Sequence, residues 1–430
     1  MPGALDGIKV LEFSQLIAGP VTGLNLADLG AEVIKLEPPT GDTARAIGAF
    51  LPHESKLFHA LNRGKRSVVI NAHTPPGRDL IHRLVPSFDV FLINARPGAA
   101  LRLGMDYGAL RPLRPDLIYL ENTGFGEAGP SADRPATDLL AQAYSGLIVG
   151  FGKVDDAGAP TTITNTAPLD YATGVSGALA VCAALFHRER TGQGQRVVTN
   201  LLSTAMAFQS PSVAELPVVD AIVREPMLAK VLAVRDAGGT YPEMLQARQE
   251  ASHQLGAATF LYYGGYNTKD GAIVLGSATA ATRAQIRTAL GIDDDPTADP
   301  QFNALDSAND PIVDAMKARL RALFLSRTTA DWMTALDAAD APAAAVNLPE
   351  QVSRDPQVEA AGLMIDLEHP LTGPERMVGS QISMSATSTG AARPSPALDA
   401  DTDAFLAEAG LPPDEIAALR ESGVTGIPAD

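Results

Sequence analysis

The stretch IKVLEFSQLIAGPVTGLNLADLGAEVIKL (8–36) decides the architecture. Ile8–Phe13 is a short apolar run suited to a strand buried on both faces. Gly19 and Pro20 then open a helix, where proline is tolerated because a first-turn amide has no helical partner to lose. Leu24, Leu26, Ala27 and Leu29 give this helix an apolar face, Gly30 ends it, and Ala31–Leu36 reads as a second buried strand. Two buried strands joined by so short a helix imply a parallel β-α-β crossover. Outward from this unit, apolar runs at Ser67–Ile70, Val90–Ile93 and Leu117–Leu120 alternate with helical segments such as Gly77–Leu84. The alternation predicts an α/β domain with a Rossmann-like parallel sheet.

Further along, Thr137–Ile148 is helical in pattern and 152–166 is a loop rich in Gly, Asp, Pro and Thr. An apolar helix then runs over Tyr171–Arg188, and Arg196–Thr199 is a strand. Residues 214–256 read as charged linker helices and 257–324 as a smaller α+β domain. A helix at Ile312–Phe324 ends that domain, and residues 325–430 return to the large domain through a helix at Thr329–Asp337, late strands at Leu363–Leu367 and Gln381–Met384, and a helix pair over Asp401–Glu421. Residues 1–213 form the first part of the large domain.

Of the 430 residues, 46% are hydrophobic and 19% charged, enough apolar material for a large core. A net charge of -17 excludes phosphate backbones as a natural partner. The one cysteine, Cys182, precludes a disulfide framework within the chain and fits a reducing compartment. Met1–Asp6 has no positive segment leading into a long apolar one, and the apolar run Ala178–Phe186 is too short to span a bilayer. The expectation is a cytoplasmic protein with no membrane partner.

Asp170 stands at the start of the apolar helix. An aspartate there is expected as an N-cap, and the partial positive charge of the helix end is expected to keep it ionised. An ionised, accessible carboxylate can also attack an activated acyl group. Lys65 and Arg66 enter a strand either as a solvated pair or as phosphate contacts. Arg96 and Arg102 flank Pro97-Gly98 just past a strand, at the sheet edge where open α/β folds bind ligands. Gly124–Pro130 is a glycine-rich loop of low specificity. No G-x-G-x-x-G opens the first helix, which speaks against a nicotinamide oxidoreductase. The seven histidines are scattered without metal-ligand spacing, so no metal site is expected.

Taken together, LDGIKVLEFSQLIAGP (5–20), LGAEVIKLEPPTGD (29–42), LNRGKRSVVIN (61–71), NARPGAALRLGMDY (94–107), TGFGEAGP (123–130), APLDYATG (167–174), HRERTGQGQ (187–195) and YNTKDG (266–271) resemble the family III CoA-transferases. That superfamily also holds formyl-CoA transferase, carnitine CoA-transferase and α-methylacyl-CoA racemase. The resemblance implies a large α/β domain built from both chain ends, an inserted smaller domain, and a homodimer of interlocked rings. It implies transfer of CoA from an acyl-CoA to an acceptor carboxylic acid, through an aspartyl anhydride and an aspartyl-CoA thioester on Asp170, with no permanently bound cofactor. The implied CoA contacts are Ala18, Lys65, Arg66, Asn94, Ala95, Arg96 and Arg102, and Ile17, Thr137 and Asp138 are implied around the acyl group. Backbone N–H groups at the helix start are expected as oxyanion donors.

The sequence departs from the family at several points. Thr137 replaces the histidine of the racemases, which disfavours the alternative of racemisation, since a threonine is no general base near neutral pH. A binding homologue without catalysis is the other alternative, opposed by the presence of Asp170. Ile17 stands where formyl-CoA transferase has glutamine, and Gly264-Gly265 is all that matches its glycine flap. Asp399-Ala400-Asp401-Thr402 replaces a late Gly-Glu/Gln-His-Thr segment.

Overall fold

The computed structural model describes residues 1–163, 166–253, 259–303 and 306–427. Its main sheet comprises β1 (Lys9–Phe13), β2 (Glu32–Glu37), β3 (Lys65–Val69), β4 (Val90–Ile93), β5 (Ile118–Thr123) and β6 (Arg196–Asn200). The spatial order is β3-β2-β1-β4-β5-β6, and every pairing is parallel. This is the doubly wound order, in which the direction of winding reverses between β1 and β4.

Alternation along the strands builds two apolar layers, because successive side chains leave a strand on opposite faces. Val10, Val33, Val90, Leu92, Ile118 and Leu120 meet helices Ala18–Asp28 and Pro168–Thr191. Leu11, Ile34, Leu36, Phe91, Ile93 and Tyr119 meet helix Pro75–Leu84 and, from the far end of the chain, Phe405 and Leu406. Helix Pro168–Thr191 runs longer than its apolar stretch suggested. Its 24 residues are long and apolar enough, by length and composition, to cross a membrane. Its Ala178, Val181, Ala184 and Leu185 are instead packed in the core of the sheet domain.

That helix lies unusually close to Ala18–Asp28. A Cβ on Gly174 would sit 2.6 Å from the Ala18 carbonyl oxygen, and one on Gly177 would sit 2.6 Å from Thr22 Oγ1. The Thr22 hydroxyl donates to Gly174 O at 3.0 Å across the seam. Glycine here is a packing requirement, and the seam sets where Asp170 stands relative to the first loop.

The chain divides into two compact units. The first takes in Met1–Lys153, Thr161–Ala214 and Pro356–Asp430, so both chain ends build the sheet domain; the second takes in Val154–Pro160 and Glu215–Asp355. The second unit extends beyond the expected small domain on both sides, taking in the expected linker helices from Glu215 and running on to Asp355. Its antiparallel sheet pairs Tyr263–Asn267 and Ala343–Ala345 with the central Ala272–Gly276. The all-alanine strand Ala343–Ala345 carries no apolar alternation that would announce it. The expected 256/257 boundary lies outside the described residues.

Of the two expected late strands, Leu363–Leu367 is present as Met364–His369, paired with Gly373–Val378 in a hairpin, whereas Gln381–Met384 is irregular and leaves Ile382 and Met384 exposed. The Asp399–Thr402 segment closes the open edge of the main sheet: Ser67 N donates to Asp401 Oδ2 and Val69 N to Thr402 Oγ1, each at 2.9 Å. An edge strand left bare would offer these amides to another chain.

Replacing Gly174 by valine is expected to lower the unfolding free energy by about 1–3 kcal/mol, the usual cost of overpacking. A urea midpoint equal to wild type would show that the helix seam is looser than described.

Candidate active site

At the carboxyl ends of β1 and β4, where the strand order reverses, open α/β sheets bind ligands. Two cavities lie there. One, of about 260 Å³, is bounded by Phe13, Ser14, Pro38, Ile70, His73 and Ala95 among others. The other, of about 170 Å³, is bounded by Ile17, Ala18, Asn122, Gly124, Thr137 and Asp170. Gln15, Leu16 and Asn94 line both.

Of the residues singled out in the sequence, Ile17, Ala18, Asn94, Ala95, Thr137 and Asp170 meet at these cavities. Asn94 is spent on the loop: its Nδ2 donates to Gln15 O at 2.6 Å and its Oδ1 accepts from Gln15 N at 2.9 Å. Arg96 and Arg102 sit at the two ends of helix Pro97–Leu103. Both are exposed, and no hydrogen bond or ion pair engages either guanidinium among the described residues.

Lys65 and Arg66 are placed elsewhere, which corrects their expected contact with phosphate. Lys65 is fully buried, with Nζ 2.8 Å from Glu12 Oε2, 2.8 Å from Pro20 O and 2.9 Å from Asn62 Oδ1. Arg66 is held by Glu408 at 2.7 Å and by Glu32 at 3.2 Å. A buried or fully paired cation has no free face for a ligand. The exposed His73, which follows β3 directly, lines the larger cavity instead. Scattered histidines gave no signal for it; its place just past the carboxyl end of a parallel strand did.

Asp170 is not the N-cap. Ala167 caps the helix with φ 41° and ψ 60°, a left-handed conformation costly for alanine, and Asp170 lies within the first turn. The helix amides expected to serve Asp170 go to Asp138, whose Oδ2 accepts from Leu169 N at 2.6 Å and from Asp170 N at 3.0 Å. Those two amides are therefore not free to act as oxyanion donors. Asp138 is buried, and its Oδ1 also accepts from Gln142 Nε2. Thr137 accepts from Leu140 N at 3.4 Å and caps the Asp138–Tyr144 helix.

This arrangement reverses the expected electrostatics. Burial first, and the negative Asp138 second, push the Asp170 carboxyl up to about 7. The group is therefore balanced between acid and carboxylate near neutrality. The linkage follows: the folded state holds this proton from pH 3.8 to about 7 while the unfolded chain has released it. Stability from this group thus falls as pH rises through that window and levels off above it.

Glu54, His59 and His369 form a buried cluster of metal-ligand type. Its hydrogen bonds do not fit a metal. His59 Nε2 and Nδ1 each lie 2.5 Å from a carboxylate oxygen, of Glu54 and Glu375 respectively. Burial lowers the His59 pKa, but the two carboxylates prevail and raise it, making the ring an imidazolium between two anions. His369 Nδ1 accepts from the amides of Leu371 and Thr372. The proton of its neutral ring is then on Nε2, the nitrogen that faces Glu54, which leaves no lone pair there for a cation.

Residues 5–402 match the model of CoA-transferase family III. The succinate–glutarate CoA-transferase of Agrobacterium fabrum is 33% identical over 416 residues, spanning 94% of this chain and 95% of that protein. The human succinyl-CoA:glutarate CoA-transferase is 31% identical over 409 residues, spanning 94% and 85%. Among solved structures, a CAIB/BAIF family protein from Brucella suis superposes with a TM-score of 0.71 at 29% identity, covering 95% of this chain and 100% of its own. Rv3272 from Mycobacterium tuberculosis gives a TM-score of 0.73 at 27% identity, covering 94% and 99%.

Asp138→Asn removes the second of the two causes that hold the Asp170 proton, leaving burial in place. The acid limb of kcat/KM is expected to move from near pH 7 to lower pH, because Asp170 then ionises more readily. An acid limb that stays in place would show that another group governs it.

Proposed function

The chain belongs to CoA-transferase family III, and from this we propose that Asp170 is the nucleophile that passes CoA from an acyl-CoA to a carboxylic acid. The observation that carries the reading is a partly buried carboxyl of pKa about 7 in a small cavity, sharing the wall Gln15-Leu16 with a larger one at the switch point. A carboxylate with depressed basicity would be a weaker nucleophile toward a thioester.

The reaction needs no external proton. An Asp170 oxygen attacks the thioester carbon, and the C–S bond breaks to give an acyl-aspartyl anhydride and CoA thiolate. The thiolate attacks the aspartyl carbonyl, and the donor acid leaves as a carboxylate, giving an aspartyl-CoA thioester. The acceptor carboxylate attacks that thioester and releases the thiolate. The thiolate then attacks the acceptor acyl carbon, forming the new acyl-CoA and restoring the Asp170 carboxylate.

In this reading the CoA arm lies in the larger cavity past Ala95, with Arg96 and Arg102 toward its phosphates, and the acyl group lies near Ile17, Ala18, Thr137 and Asp170. Asp138 orients the nucleophile's helix rather than touching substrate. No permanently bound cofactor enters the chemistry. The names of the glutarate-using relatives favour succinyl-CoA as donor and a short dicarboxylic acid as acceptor. The reading includes a cytoplasmic homodimer with interlocked chains. Exposed Leu179 and Phe186 on the sheet domain and exposed Val218 and Ile222 on the second unit support apolar contact with another copy.

Asp170→Ala is expected to abolish transfer while free CoA still binds, and wild type with succinyl-CoA and hydroxylamine is expected to yield a hydroxamate on the Asp170 peptide by mass spectrometry. Retained turnover in the variant would end the proposal. Arg102→Ala is expected to raise KM for CoA thioesters about tenfold with kcat nearly unchanged, as losing one charged hydrogen bond of about 1.5 kcal/mol implies. A fall in kcat alone would remove Arg102 from phosphate binding.

A further inference from the structure

The wall shared by the two cavities is held in a conformation that its own sequence resists. Leu16 has φ 67°, in the left-handed region that disfavours a leucine. Around it, nearly every polar group of the loop is tied. Lys35 Nζ donates to Ser14 O at 2.9 Å. Asn94 exchanges both of its amide bonds with the Gln15 backbone, and Thr43 Oγ1 donates to Gln15 Oε1 at 2.8 Å. Leu16 N donates at 3.0 Å to Asp42 Oδ1.

Asp42 is the hinge of this arrangement. The same Oδ1 accepts from Ala44 N at 2.8 Å, and Oδ2 lies 2.8 Å from Lys35 Nζ, with both side chains wholly buried. Lys35 in turn reaches Glu12 Oε1 at 3.1 Å, on the strand that delivers the loop. Asp42 lines neither cavity, yet its carboxylate holds the one strained residue that lines both.

We propose that Asp42, held by Lys35, is a positioning residue for transfer: it clamps Leu16 in its left-handed conformation and so sets the wall along which a thioester passes from the larger cavity to Asp170. The proposal rests on the transferase reading for its kinetic consequence, but not for the clamp. The reacting carbon must stand within about 3–3.5 Å of the Asp170 oxygen, and a misplacement of about 1 Å costs about 100-fold in rate. Loss of the clamp therefore acts on kcat more than on KM.

The test uses the full chain. Asp42→Ala is expected to lower kcat about 100-fold, with a smaller change in KM, and to speed hydrogen exchange at the amides of residues 14–17 while the strands stay protected. Asp42→Asn keeps an acceptor for Leu16 N and is expected to recover much of kcat. Leu16→Gly provides the decisive background, since glycine adopts φ 67° without strain. If Asp42 acts through Leu16, the kcat penalty of removing Asp42 is much smaller in Leu16→Gly than in wild type. Should Asp42→Ala not fold, the same cycle is run with Asp42→Val, which likewise offers Leu16 N no acceptor. Equal penalties in both backgrounds, or unchanged exchange at residues 14–17, would overturn the clamp. Faster exchange at residues 14–17 in Asp42→Ala, together with a wild-type protein that turns over no thioester, would uphold the clamp and reject the transferase reading.

Discussion

A lysine ammonium with no access to water organises the sheet domain. Lys35 is buried at the centre of a cluster in which Glu12 and Asp42 flank it, Lys65 shares Glu12, and Arg45 is paired with Glu37 at 2.7 Å. Each ion removed from water costs several kcal/mol, and only its partners offset that cost. The cations Lys35, Lys65 and Arg45 face the carboxylates Glu12, Glu37 and Asp42, so the cluster balances as a whole, and removing one member leaves a neighbour uncompensated. Burial and the nearby Lys35 push Lys65 down to about 8, against the pull of Glu12, while Lys35 itself is held above its usual value. The cluster joins the carboxyl ends of β1 and β2 to β3. Leu11 and Val10 hold the strands together from the two apolar faces; the charges set the ends in register, where the chain must turn.

The second organising group is Asp138. A helix N-terminus normally stabilises a carboxylate placed there, and Asp170 stands in the first turn of such a helix. Asp138 takes the amides instead, leaving Asp170 with a negative neighbour and a partly buried environment. One carboxylate is stabilised so that the other is not. The outcome is an aspartate more basic than usual. Leu169, Gln142 and Ile163 complete the frame, so the position of Asp170 depends on segments that meet only in the folded chain.

Much of this was legible in the sequence because it follows from short-range pattern. The β-α-β opening, the buried strands, and the place of Arg96 just past a strand end follow from apolar runs and glycine stops. What was not legible depends on pairing across distance. Lys65 looked like a ligand for phosphate because sequence does not show that Glu12 and Asn62 surround it. Asp170 looked like a cap because the competing acceptor lies on another helix. The Ala343–Ala345 strand was hidden for a different reason: three alanines carry no alternation, and only pairing with Ala272–Gly276 makes them a strand. Leu16 carried no mark at all, since a leucine is the last residue a positive φ would predict.

The closure of β3 by Asp401 and Thr402 bears on how the chain is made. Translation delivers β1 to β6 first and then the whole of Glu215–Asp355 before the residues that seal the sheet edge exist. Throughout that interval the amides of Ser67 and Val69 face outward, and the apolar seats of Phe405 and Leu406 are empty. An open strand edge is a template for pairing with another chain, so the incomplete sheet is open to such pairing until the closing segment has been made. Slower elongation across the inserted unit lengthens that exposure.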